Sequence, residues 1–475
     1  MAVVTHGVST SRAKTSVSSP IVAESGIIFA VGAAPVQMVS GKTNEVIMAN
    51  NYEEAVKAMG YSDAWEKYGL CEVIYTMFQL YQVSPVLLVN VFDPAKHKQE
   101  KEVKAEVVDN QVLLPLEAIA ESITITGKVA GTDFDAFYDD KNCIIEFAEN
   151  TTGELTITYD EADPTQVTKE DIIGGYDISS HKVRGLELID AVFPKYAMIP
   201  DLIVCPNWSH ESEVAAVMSA KAENINGLFE AMVILDVDTT AAGATYYTEV
   251  TEWKKTKNFT KPNEIVCFPK LKLGNRMFNF STQLAGLMAK TDNAEDLGDG
   301  TPCESSSNKS LQADGMVLSD GTEVLLDVQQ ANYLNDNGVV TGLNFYNGFV
   351  SWGSWTACFP SNTDPVDYFY NVSRMFKWIA KSIILSYWSY TDRRLIRRLL
   401  DAILQGLNDW LNSLTTDEKI IGGRVELREE ENSETALMAG RVKFHVYLTP
   451  CSPLVETEFV LEYDLSYLTN MMTAA

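Results

Sequence analysis

Positive charge is scarce in this 475-residue chain: 37 Lys and Arg stand against 65 Asp and Glu, a formal net charge of −28. A surface that negative repels nucleic-acid phosphate and anionic headgroups, so neither a nucleic acid nor direct membrane insertion is expected. Histidine is scarcer. His6, His97, His181, His210 and His445 lie far apart, none beside Cys or carboxylates at ligand spacing, so no metal centre is expected. The seven cysteines (Cys71, Cys143, Cys205, Cys267, Cys303, Cys358, Cys451) contain no Cys-x-x-Cys. An odd, scattered set suits thiols kept reduced in a cytoplasm better than a secreted disulfide framework. No apolar run reaches the length of a membrane span, and the first thirty residues lack a basic stretch followed by an apolar one. The product is expected to be soluble and made in the cytoplasm, leaving the cell by lysis if it leaves at all.

Catalytic signatures are missing too. There is no Gly-x-Ser-x-Gly, no His-Glu-x-x-His, and no Gly-x-Gly-x-x-Gly after a strand. The stretch from Gly300 to Ser310 ends in Lys309-Ser310 but has no glycine before the lysine, where a phosphate-binding loop needs one. Asp236 and Asp238 follow a strand, a place where α/β enzymes put carboxylates, yet no base or ligand set accompanies them. Neither an enzyme nor a cofactor is expected.

What is present describes a globular chain: 46% hydrophobic, 10% aromatic, mean hydropathy −0.06. Residues 1–20 read as an extended arm, with β-branched Val3, Val4, Thr5, Val8 and Thr10 and nothing local to pair with. Such a segment is either a frayed terminus or a strand completed on another molecule. Residues 21–94 and 185–360 alternate short apolar runs with helical patterns, as in Ile27–Val31, Val86–Val91, Leu202–Cys205 and Met232–Leu235. That is the pattern of a mostly parallel sheet covered by helices. Between them, residues 95–184 break into short strand-like runs separated by turn residues, an inserted all-β domain. From Ala95 to Asp190 acidic residues outnumber basic ones 21 to 9, the mark of a solvated outer face. Residues 361–455 are expected to form an α+β C-terminal domain. It holds two long helices, Tyr368–Tyr390 and Asp392–Leu414, followed by strands over Gly423–Glu429 and Arg441–Leu448. Residues 456–475 form a second arm with strand character over Glu456–Tyr463. The fold class is thus an α/β core with an inserted all-β domain, an α+β C-terminal domain and extended arms at both ends.

Arg393, Arg394, Arg397 and Arg398 are expected to make two i,i+4 rows at the start of the second long helix. Like charges so placed weaken an isolated helix. They either pair with nearby acidic residues or face an acidic partner.

Several stretches resemble the contractile tail sheath family of myophages, R-type bacteriocins and related injection systems. Gly7–Val17, Pro20–Ile27 and Val31–Val36 resemble its N-terminal arm and first core strand, and Val89–Pro94 is similar to the strand before the family's variable insertion. Ala162–Thr168 with Asp171–Gly174 looks like the exit from that insertion. Pro206-Asn207-Trp208-Ser209, Lys221-Ala222, Ile225-Asn226-Gly227, Ser306-Ser307-Asn308-Lys309, Asn347-Gly348 and Trp352-Gly353 resemble core motifs. Where the family commonly reads Trp-Gly-Asn-Arg-Thr, this chain has Trp352-Gly353-Ser354-Trp355-Thr356, without the arginine. The resemblance implies a homo-oligomer of stacked rings around an inner tail tube protein, bounded by baseplate and tail terminator proteins, in a virion or phage-like particle. It also implies strand exchange, in which arms of different subunits add to a sheet in a third; Val442, Phe444, Val446, Phe459, Leu461 and Tyr463 join the N-terminal residues as candidates. The four arginines would then face the tube. The other reading is a carbohydrate- or surface-binding protein, which predicts exposed aromatic clusters in the β insertion.

Overall fold

A computed structural model describes residues 20–39, 41–139, 141–178, 181–346 and 348–468. In chain order the strands are β1 Ile28–Gly32, β2 Val46–Ala49, β3 Val86–Asn90, β4 Lys98–Val107, β5 Gln111–Pro115, β6 Thr124–Ile125, β7 Phe134–Tyr138, β8 Asn142–Phe147 and β9 Gly153–Ala162. They continue as β10 Gly175–Asp177, β11 Lys182–Arg184, β12 Leu202–Val204, β13 Met232–Asp236, β14 Glu264–Cys267, β15 Lys270–Leu273, β16 Arg276–Phe278, β17 Gly315–Val317, β18 Val339–Asn344, β19 Phe349–Trp352, β20 Ile420–Glu426 and β21 His445–Pro450.

The body is an eight-stranded sheet in the order β19-β18-β14-β13-β12-β1-β3-β2. Its six inner strands run parallel, and β2 and β19 close the edges antiparallel. Strands β1, β3 and β13 are buried at every residue. Helices on both faces require that, and it explains why these strands read as unbroken apolar runs rather than as alternations. The largest apolar cluster surrounds this sheet and includes Phe29, Leu87, Ile203, Val233, Ile265 and Met288.

The chain leaves the sheet after β3 and returns at β12, and between them lies a β module with its own core. Strand β4 pairs antiparallel with β9 over ten positions, from Lys98↔Ala162 to Val107↔Gly153, and β6 extends that sheet. A second sheet runs β5-β8-β7. Val112, Phe134, Ile145, Phe147, Ile157 and Tyr159 fill the space between them. Those aromatics are core side chains, and the Tyr138 hydroxyl donates to Ala118 O at 2.8 Å. The exposed aromatic cluster that sugar binding would need is not formed among the described residues; Phe137 on β7 and Tyr176 on β10 are the exposed large aromatics among them.

A third cluster gathers Met375, Trp378, Ile379, Leu407, Trp410, Leu411, Leu414, Ile420 and Val425 with Ala23 from the start of the chain. It packs a Tyr370–Tyr387 helix, which we call the spine helix, against an Arg397–Thr416 helix and the two-stranded β20–β21 ladder. The second helix starts at Arg397, five residues later than its apolar stripe suggests. Asp392 takes a left-handed backbone (φ 62°) and Ile396 is extended, so the segment between the helices is a turn. The last strand begins at His445 rather than Arg441, because Asn432 captures Lys443 N at 2.8 Å and Lys443 O at 2.9 Å.

A polar knot sits at the carboxyl ends of β12 and β13. Asp236 accepts from Ser281 N at 2.8 Å and from the hydroxyls of Ser281 (2.5 Å) and Ser209 (2.8 Å). Nearby, wholly buried Glu72 accepts from Asn279 N and Asn279 Nδ2, both at 2.7 Å. Burial pushes the Glu72 carboxyl up to about 7 from its ordinary 4.5. The folded state therefore favours the proton. Glu72 contributes its stabilisation fully below the unfolded value, and that contribution is lost as pH rises through about 7. The unfolding midpoint in urea should fall between about pH 4.5 and pH 7, and Glu72→Gln should flatten that fall. An equal pH slope in both proteins would remove Glu72 as its cause.

Candidate assembly surfaces

Two chain ends leave the body, and one helix holds the root of each. The N-terminal root, residues 20–26, lies along the last turns of the spine helix. Ile21 N donates to Ser386 Oγ at 2.7 Å and Ala23 N to Ser382 Oγ at 3.2 Å. Trp378 Nε1 donates to Ala23 O at 2.8 Å, and Lys381 Nζ to Glu24 O at 2.7 Å and Asp201 Oδ1 at 2.5 Å. Beneath them Arg374 and Asp292 form a bidentate pair, 4% and 1% exposed, with Arg374 Nη1 at 2.9 Å from Asp292 Oδ1. Ser25 Oγ donates to the same carboxylate at 2.7 Å. Gly26 (φ +76°) lets the root cross the Phe280–Asn293 helix, where an added Cβ would lie 2.8 Å from Ala289 Cα. Four main-chain groups of this segment, Ile21 N, Ala23 N, Ala23 O and Glu24 O, thus find side chains of the spine helix. Val3, Val4, Thr5, Val8 and Thr10 lie outside the described residues.

The C-terminal root is held at the other end of the spine helix. Asn371 Nδ2 donates to Cys451 O at 3.1 Å and Cys303 O at 3.2 Å. Asn371 and Ser382 are eleven residues apart, so the two roots sit roughly 16 Å apart on one rigid rod. Beyond Cys451 the chain enters no helix or ladder as far as Asp464 among the described residues. Leu454, Val455, Phe459, Val460, Leu461, Tyr463, Leu465 and Tyr467 are all exposed, Phe459 at 83%, Leu461 at 95% and Tyr463 at 76%. Phe459, Leu461 and Tyr463 recur at every second position, with Val460 and Glu462 between them and Glu458 and Asp464 at the flanks. A strand with one apolar face has that pattern. Among the described residues of the single chain it has neither a ladder partner nor a surface to cover.

The β20–β21 ladder offers open edges. It has two strands among the described residues, and a bulge leaves Ile421 between the pairs Ile420↔Pro450 and Gly422↔Thr449, 66% exposed. Val446 pairs with Val425 inside the ladder, Phe444 packs against the third cluster, and Val442 precedes β21 in the segment outside the sheet. A two-stranded ladder is marginal alone and here leans on the Arg397–Thr416 helix. Gly423 permits that approach, since its Cβ would stand 3.2 Å from Leu411 Cδ1.

The four arginines do not form two helical rows. Arg393 and Arg394 lie in the turn before the helix. Arg393 Nε donates to Ser389 O at 3.0 Å, and its guanidinium sits 4.6 Å from the Tyr390 ring centre. Arg397 pairs with Asp401 at 2.8 Å on the surface, and Arg394 and Arg398 make no ion pair among the described residues. Arg397 and Arg398 occupy the first turn of a helix that has no acidic residue there and no side-chain cap. Positive charge at that end opposes the helix dipole, typically by 0.3–1 kcal/mol per residue. The local sequence is therefore not arranged for the stability of its own helix.

Other sequence candidates are structural. Asp238 caps a turn by accepting from Thr240 N at 2.9 Å. In the loop ending at Ser310, Lys309 pairs with Glu304 at 2.9 Å and the Ser305 and Ser306 hydroxyls meet Tyr370 OH. His97 is buried, and its Nδ1 accepts from Asp93 N at 3.0 Å. Among the described residues, no helix is long and apolar enough to cross a membrane. The spine helix went unrecognised in the sequence as an anchor. Its one visible signal was Asn371, Arg374 and Lys381 standing at apolar positions of an amphipathic helix.

No family model matches the chain. It is 24% identical, over an alignment of 488 residues, to the tail sheath protein of Burkholderia phage BcepMu, covering 97% of this chain and 98% of that one. It is 27% identical over 155 residues to the tail sheath protein of Escherichia phage P2, 32% of this chain and 38% of that one. In fold it resembles the contracted sheath of an extracellular contractile injection system, PVC, with a TM-score of 0.60 and 13% identity over 98% of this chain and all of that one.

Proposed function

We infer that this chain belongs to the contractile tail sheath family and serves as a structural subunit of a contractile tail sheath, a component of a virion or phage-like particle. The observation that carries this is end-to-end likeness in sequence to a phage tail sheath protein. Likeness of fold over nearly the whole chain agrees with it.

From that premise the subunit polymerises as stacked rings around an inner tail tube, bounded by baseplate and terminator, and does no catalysis. Residues 21–94 and 185–360 form the ring-building core, residues 95–184 the outer module, and residues 361–455 the assembly domain between the arms 1–20 and 456–475. The arm 456–475 leaves its own subunit and adds to the β20–β21 ladder of a neighbour, where its main-chain groups and its apolar face are both satisfied. The contact is heterologous and does not close on itself, so it propagates. Arms held at their roots let subunits turn without separating. Contraction relaxes a metastable lattice and needs no nucleotide at firing. Negative-stain microscopy of the purified protein after assembly should show hollow striated cylinders; a protein that stays dispersed beside a competent tube would overturn the reading.

The arginine turn faces the tube. Arg394 and Arg398, which make no ion pair among the described residues, are available for an acidic surface, and the attachment should weaken with salt. Charge reversal of both (Arg394→Glu, Arg398→Glu) should abolish polymerisation on tubes at unchanged thermal stability. Normal assembly of that variant would dismiss the tube contact while leaving the sheath assignment intact.

A further inference from the structure

Of the seven cysteines, Cys303 and Cys451 alone are not buried, and both line the same cleft. A single side chain brings them together: Asn371 Nδ2 donates to the main-chain carbonyls of both, at 3.2 and 3.1 Å. Both line one cleft of about 850 Å³ that also touches Ser305, Trp352 and Trp355 of the body and residues 452–456 of the departing arm. They sit on opposite sides of a joint. Cys303 belongs to the body, and Cys451 is the first residue after β21, where the C-terminal segment loses its ladder. The Cys451 thiol now makes only a weak 3.6 Å contact with Glu418 O, which gives little resistance to its turning.

We propose that Cys303 and Cys451 form a redox-responsive disulfide that staples the root of the C-terminal arm to the body. A disulfide needs Cα atoms roughly 4.4–6.8 Å apart, and the amide shared by the two carbonyls draws the two main chains toward that range. The oxidant is a low-molecular-weight disulfide, which a particle meets on leaving a reducing cytoplasm. The Cys451 thiolate attacks one sulfur of that disulfide and expels a thiolate, giving a mixed disulfide. The Cys303 thiolate then attacks the Cys451 sulfur and expels the second. Two protein thiols and one small disulfide become one protein disulfide and two small thiols. Burial raises both thiols above their ordinary range, with Glu304 adding to it at both and Glu418 at Cys451, so the exchange is slow at neutral pH and quickens as pH rises.

What the staple does to contraction rests on the sheath reading: it fixes the arm's departure angle. Its formation does not, which keeps the two separable. The test is to incubate the full-length, unassembled chain with oxidised glutathione at about pH 8, count thiols after denaturation and map peptides without reduction. Two of seven thiols should disappear, in a peptide pair joining 303 and 451, and hydrogen exchange over 452–456 should slow. Cys451→Ser should keep its other thiols or carry glutathione on Cys303, with no internal link. Glutathione on Cys303 and Cys451 separately in the unaltered chain, or no reaction at either, would overturn the proposal.

Discussion

Asp292→Ala should destabilise the subunit by about 3–5 kcal/mol, read from the shift in urea midpoint, because it strands a buried guanidinium. Arg374 and Asp292 are 4% and 1% exposed, and the carboxylate takes both arms of the guanidinium as well as the Ser25 hydroxyl. Removing the carboxylate leaves three donors facing an apolar cluster that contains Trp378 and Met375. The double change Asp292→Leu with Arg374→Met should recover most of the loss, since two apolar side chains carry no desolvation cost. Hydrogen exchange distinguishes the pair's two roles. In the single variant residues 21–27 should exchange faster, because Ser25 loses its acceptor and the root of the N-terminal arm comes free. Should the single change cost less than about 1 kcal/mol, the pair is not the lock on that root.

The sheet was legible in the sequence and the joints were not, for one reason. Strands β1, β3, β12 and β13 are buried on both faces, so their apolar runs are continuous and bounded by Gly32, Pro94, Pro206 or Asp236. The insertion was legible for the complementary reason: turn residues such as Asp109-Asn110, both with positive φ, punctuate its strands. The start of the Arg397–Thr416 helix was misplaced because its apolar stripe extends into the turn, where Leu395 and Ile396 are half exposed and line a surface groove rather than the core. Periodicity cannot tell those two fates apart. The anchors were invisible because their partners are remote: Arg374 meets Asp292 82 residues away, Trp378 meets Ala23 355 residues away, and Asn371 meets Cys451 80 residues away. No local pattern encodes such pairs. A polar residue inside an amphipathic stripe announces only that a partner exists.

Replacing Phe459, Leu461 and Tyr463 together by serine should abolish sheath polymerisation while leaving the melting temperature of the monomer unchanged. In the isolated subunit the three side chains are 83%, 95% and 76% exposed, so their removal costs the monomer nothing it has buried. In the lattice they would be the buried face of an added strand, each contributing about 1.5–3 kcal/mol on full burial. Loss of all three weakens every arm contact by several factors of ten, and each subunit repeats the contact, so cylinders should disappear rather than shorten. The face matters as much as the composition. Successive residues of a strand point to opposite sides, so Val460→Ser with Glu462→Ser alters the same segment on its other face. Sedimentation and microscopy should find that pair assembling nearly as well as the parent chain. Equal loss in both sets would mean that the segment binds as an irregular apolar tail, without a strand's alternation. Full assembly of the triple variant would mean that the C-terminal segment carries no subunit contact, and the ladder of β20 and β21 would then have to recruit some other strand or remain open.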